Sequence, residues 1–145
     1  MSSIRQRIAR KAAGFTLVEL LVVIVVLAVL AAIVLPKFMD SGQRSKEAAL
    51  KSDLKLLRNA VTLYKTDTGL YPTSLADLAA ATAPAQGNNG TADVALTAAN
   101  WHGPYLQAVA TDPVSGNAFT YTKTAGTVVS SAAGNGLDGT AYSGW

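Results

Sequence analysis

A single carboxylate, Glu19, lies in a segment that is otherwise almost wholly apolar, the 21 residues from Phe15 to Leu35. A charged side chain near the middle of a membrane-spanning helix costs on the order of 2.5 to 3.5 kcal/mol on insertion scales. Three explanations give Glu19 no function: the carboxyl group stays protonated, it reaches the membrane surface, or the segment does not span the membrane. A functional explanation requires a positively charged partner at the same depth in the membrane.

A cut between Gly14 and Phe15 would create such a partner. The new α-amino group of Phe15 is positively charged at neutral pH, and it would lie about one helical turn from Glu19. Within one helix the amine is a local partner, whereas between neighbouring, axially offset helices it joins one subunit to the next. A head-to-tail contact that does not close into a ring propagates as a helical filament. We therefore predict that Glu19 is an assembly residue that sets the register between subunits.

Little else in the chain is suited to catalysis. The chain has one histidine, His102, and no cysteine, which also excludes disulfides and thiolate metal sites. None of the motifs for a serine nucleophile, a zinc protease or a phosphate loop is present. His102 lies in "WHGPY", where a role in a turn or in packing is expected, and we expect no enzymatic activity.

Two further motifs are weaker. Asp138, with Asn135 nearby, could offer oxygen ligands to a calcium ion, although Asp and Asn are also common turn residues. The stretch from Asn89 to Thr91 matches an N-glycosylation sequon, and such three-residue patterns often arise by chance. We expect no cofactor apart from this one candidate calcium site.

The charge of the chain is unevenly distributed. Its formal net charge is +3, but four of the twelve basic residues precede the apolar segment: Arg5, Arg7, Arg10 and Lys11. A chain cut after Gly14 keeps eight basic and nine acidic residues, a net charge of −1. The basic character thus belongs to the N-terminal leader, and a nucleic-acid partner is not expected.

The apolar segment is long enough to cross a membrane. As a helix, 21 residues span about 31 Å, close to the roughly 30 Å of a hydrocarbon core. The positive-inside rule places the basic N-terminus in the cytoplasm and everything after Pro36 across the membrane. A secretory signal would have a shorter apolar core followed by its cleavage site, whereas Gly14 precedes the core here.

The residues after Pro36 continue the helical pattern. Apolar side chains recur at intervals of four and three residues, which places them on one helix face: Leu50, Leu54, Leu57, Val61 and Tyr64. The stretch from Thr66 to Gly69 supplies a stop, with Gly69 suited to a left-handed position. We predict one helix from about Phe15 to Thr68, locally weakened at Pro36, with Gly42 as a second candidate for weakening.

The C-terminal half predicts small elements. After Pro72, either Thr73 or Ser74 is suited to cap a short helix. The segment from Ala79 to Ala99 has few large apolar residues and is predicted to be a loop that could be mobile. The runs Asn117–Lys123 and Gly126–Ser131 are rich in aromatic and β-branched residues, and they predict a β-hairpin. The glycine-rich tail that follows can be ordered only if something fastens it.

With these residues in view, the sequence resembles the superfamily of type IV pilins and type II secretion pseudopilins. The resemblance is carried by the basic leader, "GFTLVEL" from Gly14 to Leu20, the aliphatic run and Pro36. It implies that a prepilin peptidase cuts between Gly14 and Phe15 and that Phe15 is N-methylated. It also implies that Glu19 pairs with the N-terminus of a neighbouring subunit, and that Pro36 marks helix that can loosen in the filament.

The resemblance implies an α+β pilin fold. A long N-terminal α-helix, hydrophobic in its first half and amphipathic in its second, packs on a small C-terminal antiparallel β-sheet domain. The expected organisation is a cleaved leader at 1–14, a transmembrane and assembly helix at 15–36, an amphipathic helix at 37–69 and a loop and β-sheet region at 70–145.

Within the superfamily, the C-terminal motifs are similar to those of the major pseudopilin of type II secretion. They are "TGLYPTSLADL", "GPYLQ", "TDPVSGNAFTY" and "GNGLDGTAYSGW", in that order. Major pseudopilins commonly end in an acidic loop that binds calcium, whereas Asp138 is the only carboxylate in this tail. Contacts between subunits could order the tail instead.

The expected function is that of a filament subunit anchored in a bacterial inner membrane, with its C-terminal domain in the periplasm. Its expected partners are copies of itself, the prepilin peptidase, an inner-membrane assembly platform and minor pseudopilins or pilins. As a pseudopilin it would drive protein export across the outer membrane. The alternatives are a type IV pilin for adhesion, motility or DNA uptake, and a membrane-tethered periplasmic enzyme or binding domain.

Overall fold

A computed structural model describes residues 14–145 of the chain. The predicted leader, apart from Gly14, lies outside the described residues. Within these described residues, the elements are one α-helix, four short strands and three 3₁₀ helices. The chain divides into two compact units, the first ending at Met39 and the second running from Asp40 to Trp145. Each unit is described separately.

Helix α1 runs from Leu17 to Thr68, so the predicted long helix is confirmed. It starts two residues later than Phe15 because Thr16 is its N-cap. Helical geometry continues through Pro36 and Gly42, so weakening at these residues stays a prediction about dynamics. The helix ends where predicted, since Gly69 adopts a positive φ of 74°.

The first unit contains the apolar part of α1. The large apolar side chains from Phe15 to Leu35 are exposed in the isolated chain, with relative exposures between 43% at Val34 and 81% at Phe15. By length and composition, Leu17–Leu35 is able to cross a membrane, with a mean hydropathy of 3.3. These side chains therefore need lipid or another protein to cover them.

The second unit has a core built on the amphipathic part of α1. The five residues of the predicted face are all at most 3% exposed, so that prediction is confirmed. Apolar side chains from the rest of the unit complete the core: Leu75, Leu78, Leu106, Phe119, Val128, Ala132 and Tyr142. Burial of this apolar area is the main force that holds the small unit together.

The four strands of the described residues form two antiparallel hairpins. Strands β1 (Gln86–Asn88) and β2 (Asp93–Ala95) pair with Gly87 opposite Val94. The prediction of a loop over residues 79–99 is therefore wrong for this part. The hairpin is stabilised by polar contacts, because the Asn88 amide donates to Asp93 Oδ1 at 2.7 Å.

The second hairpin matches its prediction. Strands β3 (Thr120–Thr122) and β4 (Thr127–Val129) pair with Tyr121 opposite Val128. The predicted short helix after Pro72 is also present, as a 3₁₀ helix at Leu75–Ala79 with Ser74 as its N-cap. The remaining 3₁₀ helices are Ala98–Asn100 and Tyr142–Gly144. An α+β pilin-like fold is thus confirmed.

Candidate functional site

The start of helix α1 positions the predicted assembly residue Glu19. Thr16 is the N-cap, and its hydroxyl accepts a hydrogen bond of 3.2 Å from the Glu19 N–H. Glu19 Oε2 in turn accepts bonds from the Thr16 N–H at 3.0 Å and from the Thr16 hydroxyl at 2.9 Å. This is a reciprocal capping box, and it was readable in the sequence as Thr-x-x-Glu.

The capping box gives the carboxylate a local role that sequence reasoning missed. It satisfies N–H groups at the helix start that have no partner in the helix, and it places the negative charge at the positive end of the helix dipole. Both bonds from Thr16 go to Oε2. The Glu19 side chain is therefore held against Thr16, the second residue after Gly14, while its other oxygen, Oε1, accepts no bond from the described residues.

A second group of functional interest is the C-terminal tail, residues 133–145, with the side of α1 that it covers. The tail closes on itself through backbone hydrogen bonds, including Gly136 N to Thr140 O at 2.9 Å and Tyr142 N to Gly134 O at 3.1 Å. Four polar side chains of α1 contact the tail: Gln43, Glu47, Lys51 and Arg58. The glycine-rich tail is thus ordered by its contacts with helix α1 of the same chain.

Glu47 is the centre of these contacts and is only 8% exposed. Its Oε1 accepts hydrogen bonds from the Leu137 N–H at 2.9 Å, the Tyr142 hydroxyl at 2.9 Å and the Gln43 amide at 3.1 Å. Desolvation by burial opposes the charged form, but the three donors outweigh it and lower the pKa of Glu47. Glu47 is therefore a charged acceptor that joins two separate points of the tail to the helix.

Two basic side chains of α1 extend the fastening. Lys51 Nζ lies 3.6 Å from Asp138 Oδ2 and 4.0 Å from the centre of the Trp145 ring. Arg58 donates to Val128 O at 3.0 and 2.8 Å and also to the backbone oxygen of Trp145. The Trp145 ring also packs edge-on against Tyr142, with 5.1 Å between ring centres. The tail is thus held at several points along the helix.

The surroundings of Asp138 do not fit a calcium site. Its Oδ1 accepts a bond from the Thr140 N–H at 2.9 Å, and its Oδ2 faces the Lys51 ammonium. A calcium ion takes six to eight oxygen ligands and favours several carboxylates. Over residues 14–145, no group of three or more His, Cys, Asp or Glu side chains is arranged to hold a metal. Calcium binding by Asp138 remains an expectation that needs a measurement.

The other two weak candidates are also placed. His102 is exposed, with Nδ1 3.0 Å from Asn100 O and 3.7 Å from Asp67 Oδ2. Asn89 is exposed between β1 and β2, where its Oδ1 accepts bonds from the N–H groups of Thr91 and Ala92. Both residues thus lie in loops at the surface, and glycosylation of Asn89 stays untested.

Comparison with known families gives two matches on different parts of the chain. A sequence model described as "Type II secretion system (T2SS), protein G" matches residues 37–142. A second, described as "Prokaryotic N-terminal methylation motif", matches residues 9–35. Together they cover the apolar part of α1, the amphipathic part, both hairpins and nearly all of the tail.

Individual relatives agree with these families. The chain is 34% identical to a type II secretion system core protein G of Pseudomonas aeruginosa, over 77% of this chain and 74% of that protein. It is 42% identical to the Aeromonas hydrophila protein of the same name over 45% of this chain, and 41% identical to that of Escherichia coli over 47%. These last two matches span 46% and 47% of the relatives. No solved structure gives a significant match.

Proposed function

This chain belongs to the protein G family of type II secretion systems, and we propose that it polymerises from the inner membrane into a filament that drives protein export across the outer membrane. The observation that carries the proposal is the family match over residues 37–142, joined to the methylation motif at 9–35. The family consists of structural pseudopilins rather than enzymes, and we propose that this chain has no catalytic activity of its own.

The proposed topology follows from the apolar part of α1. Residues 1–14 lie in the cytoplasm, Leu17–Leu35 spans the inner membrane, and the unit from Asp40 to Trp145 lies in the periplasm. The support is the apolar span near the N-terminus, the one such helix within residues 14–145, which four basic residues precede in the sequence and a folded unit follows. Before assembly, lipid covers the apolar side chains of this span.

The proposed maturation is cleavage between Gly14 and Phe15 by a prepilin peptidase, followed by N-methylation of Phe15. The methylation motif spans this bond. Thr16, which caps α1, directly follows Phe15, and Gly14 and Phe15 precede the helix and are exposed. The bond therefore lies in a non-helical stretch, where a peptidase can bind it in an extended conformation.

Assembly, in this proposal, depends on Glu19 and on the apolar surface of α1. Cleavage creates an α-amino group at Phe15, and the Glu19 carboxylate of a neighbouring copy pairs with it. The capping box leaves Oε1 free of bonds from the described residues, and thus open to such a partner, while Thr16 satisfies Oε2. A buried ion pair removes two costly charges from the lipid at once, and close packing of the apolar helices supplies most of the cohesion.

Other partners complete the proposal. Copies of the chain form a head-to-tail helical homo-oligomer, and Pro36, which lacks a backbone N–H, is the place where α1 loosens in the filament. An inner-membrane assembly platform and minor pseudopilins or pilins act with the chain. No nucleic acid is required.

The experiment compares Glu19→Ala with Asp53→Ala, which removes a carboxylate from the second unit that makes no ion pair with the described residues. Both variants are expressed with a secretion system that lacks its own protein G. We expect both to insert in the membrane, and only Glu19→Ala to lose filaments and export. Normal filaments from Glu19→Ala would refute the assembly role, and an Asp53→Ala defect of equal size would remove its specificity.

A further inference from the structure

The C-terminal tail has too few apolar residues to fold by itself. Residues 133–145 contain four glycines, and their large apolar side chains are Leu137, Tyr142 and Trp145. Leu137 is 44% exposed, whereas Tyr142 is 3% exposed and belongs to the core. Ordering such a segment costs about 1 to 2 kcal/mol of backbone entropy per residue, so contacts outside it have to offset that cost.

Glu47 contacts the tail at two points that are five residues apart in the sequence, Leu137 and Tyr142. One carboxylate oxygen accepts a hydrogen bond from the Leu137 N–H, in the turn that the Gly139 N–H closes on Gly136 O, and another from the hydroxyl of the core residue Tyr142. Gln43 donates to the same oxygen and, at 3.1 Å, to the Tyr142 hydroxyl. Hydrogen bonds to a charged acceptor are about twice as strong as neutral ones.

The charges around the tail oppose a bound cation. Lys51 brings a positive charge to Asp138, the one acidic side chain of the tail, and its ammonium also covers the face of the Trp145 ring. The backbone oxygens of Gly134, Gly136 and Thr140 already accept hydrogen bonds within the tail. A metal ion would have to displace the lysine and recruit ligands that the tail does not offer.

We propose that this chain closes its C-terminal tail without a metal ion, because Glu47 and Lys51 of helix α1 take the place of one. A calcium ion orders a loop by collecting oxygen acceptors around a positive charge. Here the arrangement is reversed, since a buried negative charge collects an N–H and a hydroxyl donor from the tail. The lysine pairs with the carboxylate that a metal would otherwise bind.

In this arrangement the tail stays packed on α1 at any calcium concentration. The groups that face Glu47 are Gln43 on the helix and Tyr142, Leu137 and Asp138 on the tail. Replacing the carboxylate by an amide keeps an acceptor oxygen for these donors but removes its negative charge, so each of the three hydrogen bonds becomes weaker. The Leu137 N–H is then the most direct reporter, because its only partner among the described residues is Glu47.

Hydrogen exchange at the Leu137 amide tests the proposal on the full-length chain in detergent. In the natural protein we expect the same exchange rate with calcium chloride and with a chelator. We expect Glu47→Gln to exchange at least about tenfold faster at Leu137, because a neutral amide oxygen is a weaker acceptor than the carboxylate for all three donors. The matched control is Asp53→Asn, which removes one negative charge from the same helix and leaves this rate unchanged.

Two results would overturn the proposal. One is a chelator that accelerates exchange at Leu137 in the natural chain and calcium that restores it, because the tail would then depend on a metal. The other is a Glu47→Gln chain with unchanged protection. If Glu47→Gln fails to fold, the chelator measurement still decides, and Tyr142→Phe provides a milder variant that removes one of the three donors.

Discussion

Replacing the core residue Leu54 by alanine should destabilise the second unit strongly, and the same change at Leu56 should not. The two leucines are two residues apart on α1, but Leu54 is 2% exposed and Leu56 is 54% exposed. A buried Leu→Ala change costs about 2 to 5 kcal/mol of unfolding free energy, from lost burial and the cavity that remains. An exposed change usually stays within about 0.5 kcal/mol.

The size of this effect is large relative to the stability of such a domain, which is typically about 5 to 15 kcal/mol. Urea unfolding of the full-length monomer in detergent measures it, with fluorescence from Trp101 and Trp145, which both belong to the second unit. We expect a much lower midpoint for Leu54→Ala and an unchanged midpoint for Leu56→Ala. Equal losses would show that the helix face assigned to the core is wrong.

Further predictions concern glycines and acid. Gly42→Ala should raise the unfolding free energy by about 0.5 to 1 kcal/mol, because this exposed glycine lies inside α1 with no atom near a new Cβ; a loss in urea unfolding would contradict this. Gly126→Ala should lower the unfolding free energy by more than about 1 kcal/mol, since φ is +66° and the new Cβ would collide with the Tyr71 ring. An unchanged unfolding midpoint would show that Gly126 is neither left-handed nor packed on that ring. The lowered pKa of Glu47 means that its contribution is complete above its ordinary value of 4.5 and is lost as the pH falls through the folded-state pKa. Stability should therefore fall less on acidification in Glu47→Gln than in the natural chain, and parallel curves would exclude this role.

The helix and its buried face could be predicted because their signals are local and periodic. Leu50 to Tyr64 follow the spacing of one helix face, and Gly69 marks the end of α1. The hairpin of β3 and β4 was likewise visible in its β-branched and aromatic residues. In each case the residues that form the element also carry its pattern.

The β1–β2 hairpin could not be predicted in this way. Gln86, Gly87 and Asn88 have low strand propensity, and their pairing depends on contacts that no local pattern reveals. Gly87 accommodates Leu70, whose Cβ would lie 2.8 Å from a Cβ at this position. Lys123 also bridges to Asp93 at 2.6 Å, which links this hairpin to the other one.

The candidate sites show the same division. The Thr16–Glu19 capping box is present in the sequence as the four-residue pattern Thr-x-x-Glu, which predicts a helix start at this position. Glu47 looked like one more charged residue on a polar helix face. Its role depends on Leu137 and Tyr142, which are 90 and 95 residues away in the chain, and sequence spacing could not have brought them together.

The central claim, that this chain is a processed filament subunit, is tested most directly by the intact mass of the native protein from its own membrane. We expect a chain that has lost residues 1–14 and carries one additional methyl group on Phe15. A mature protein that retains Met1 and remains a monomer would contradict the claim.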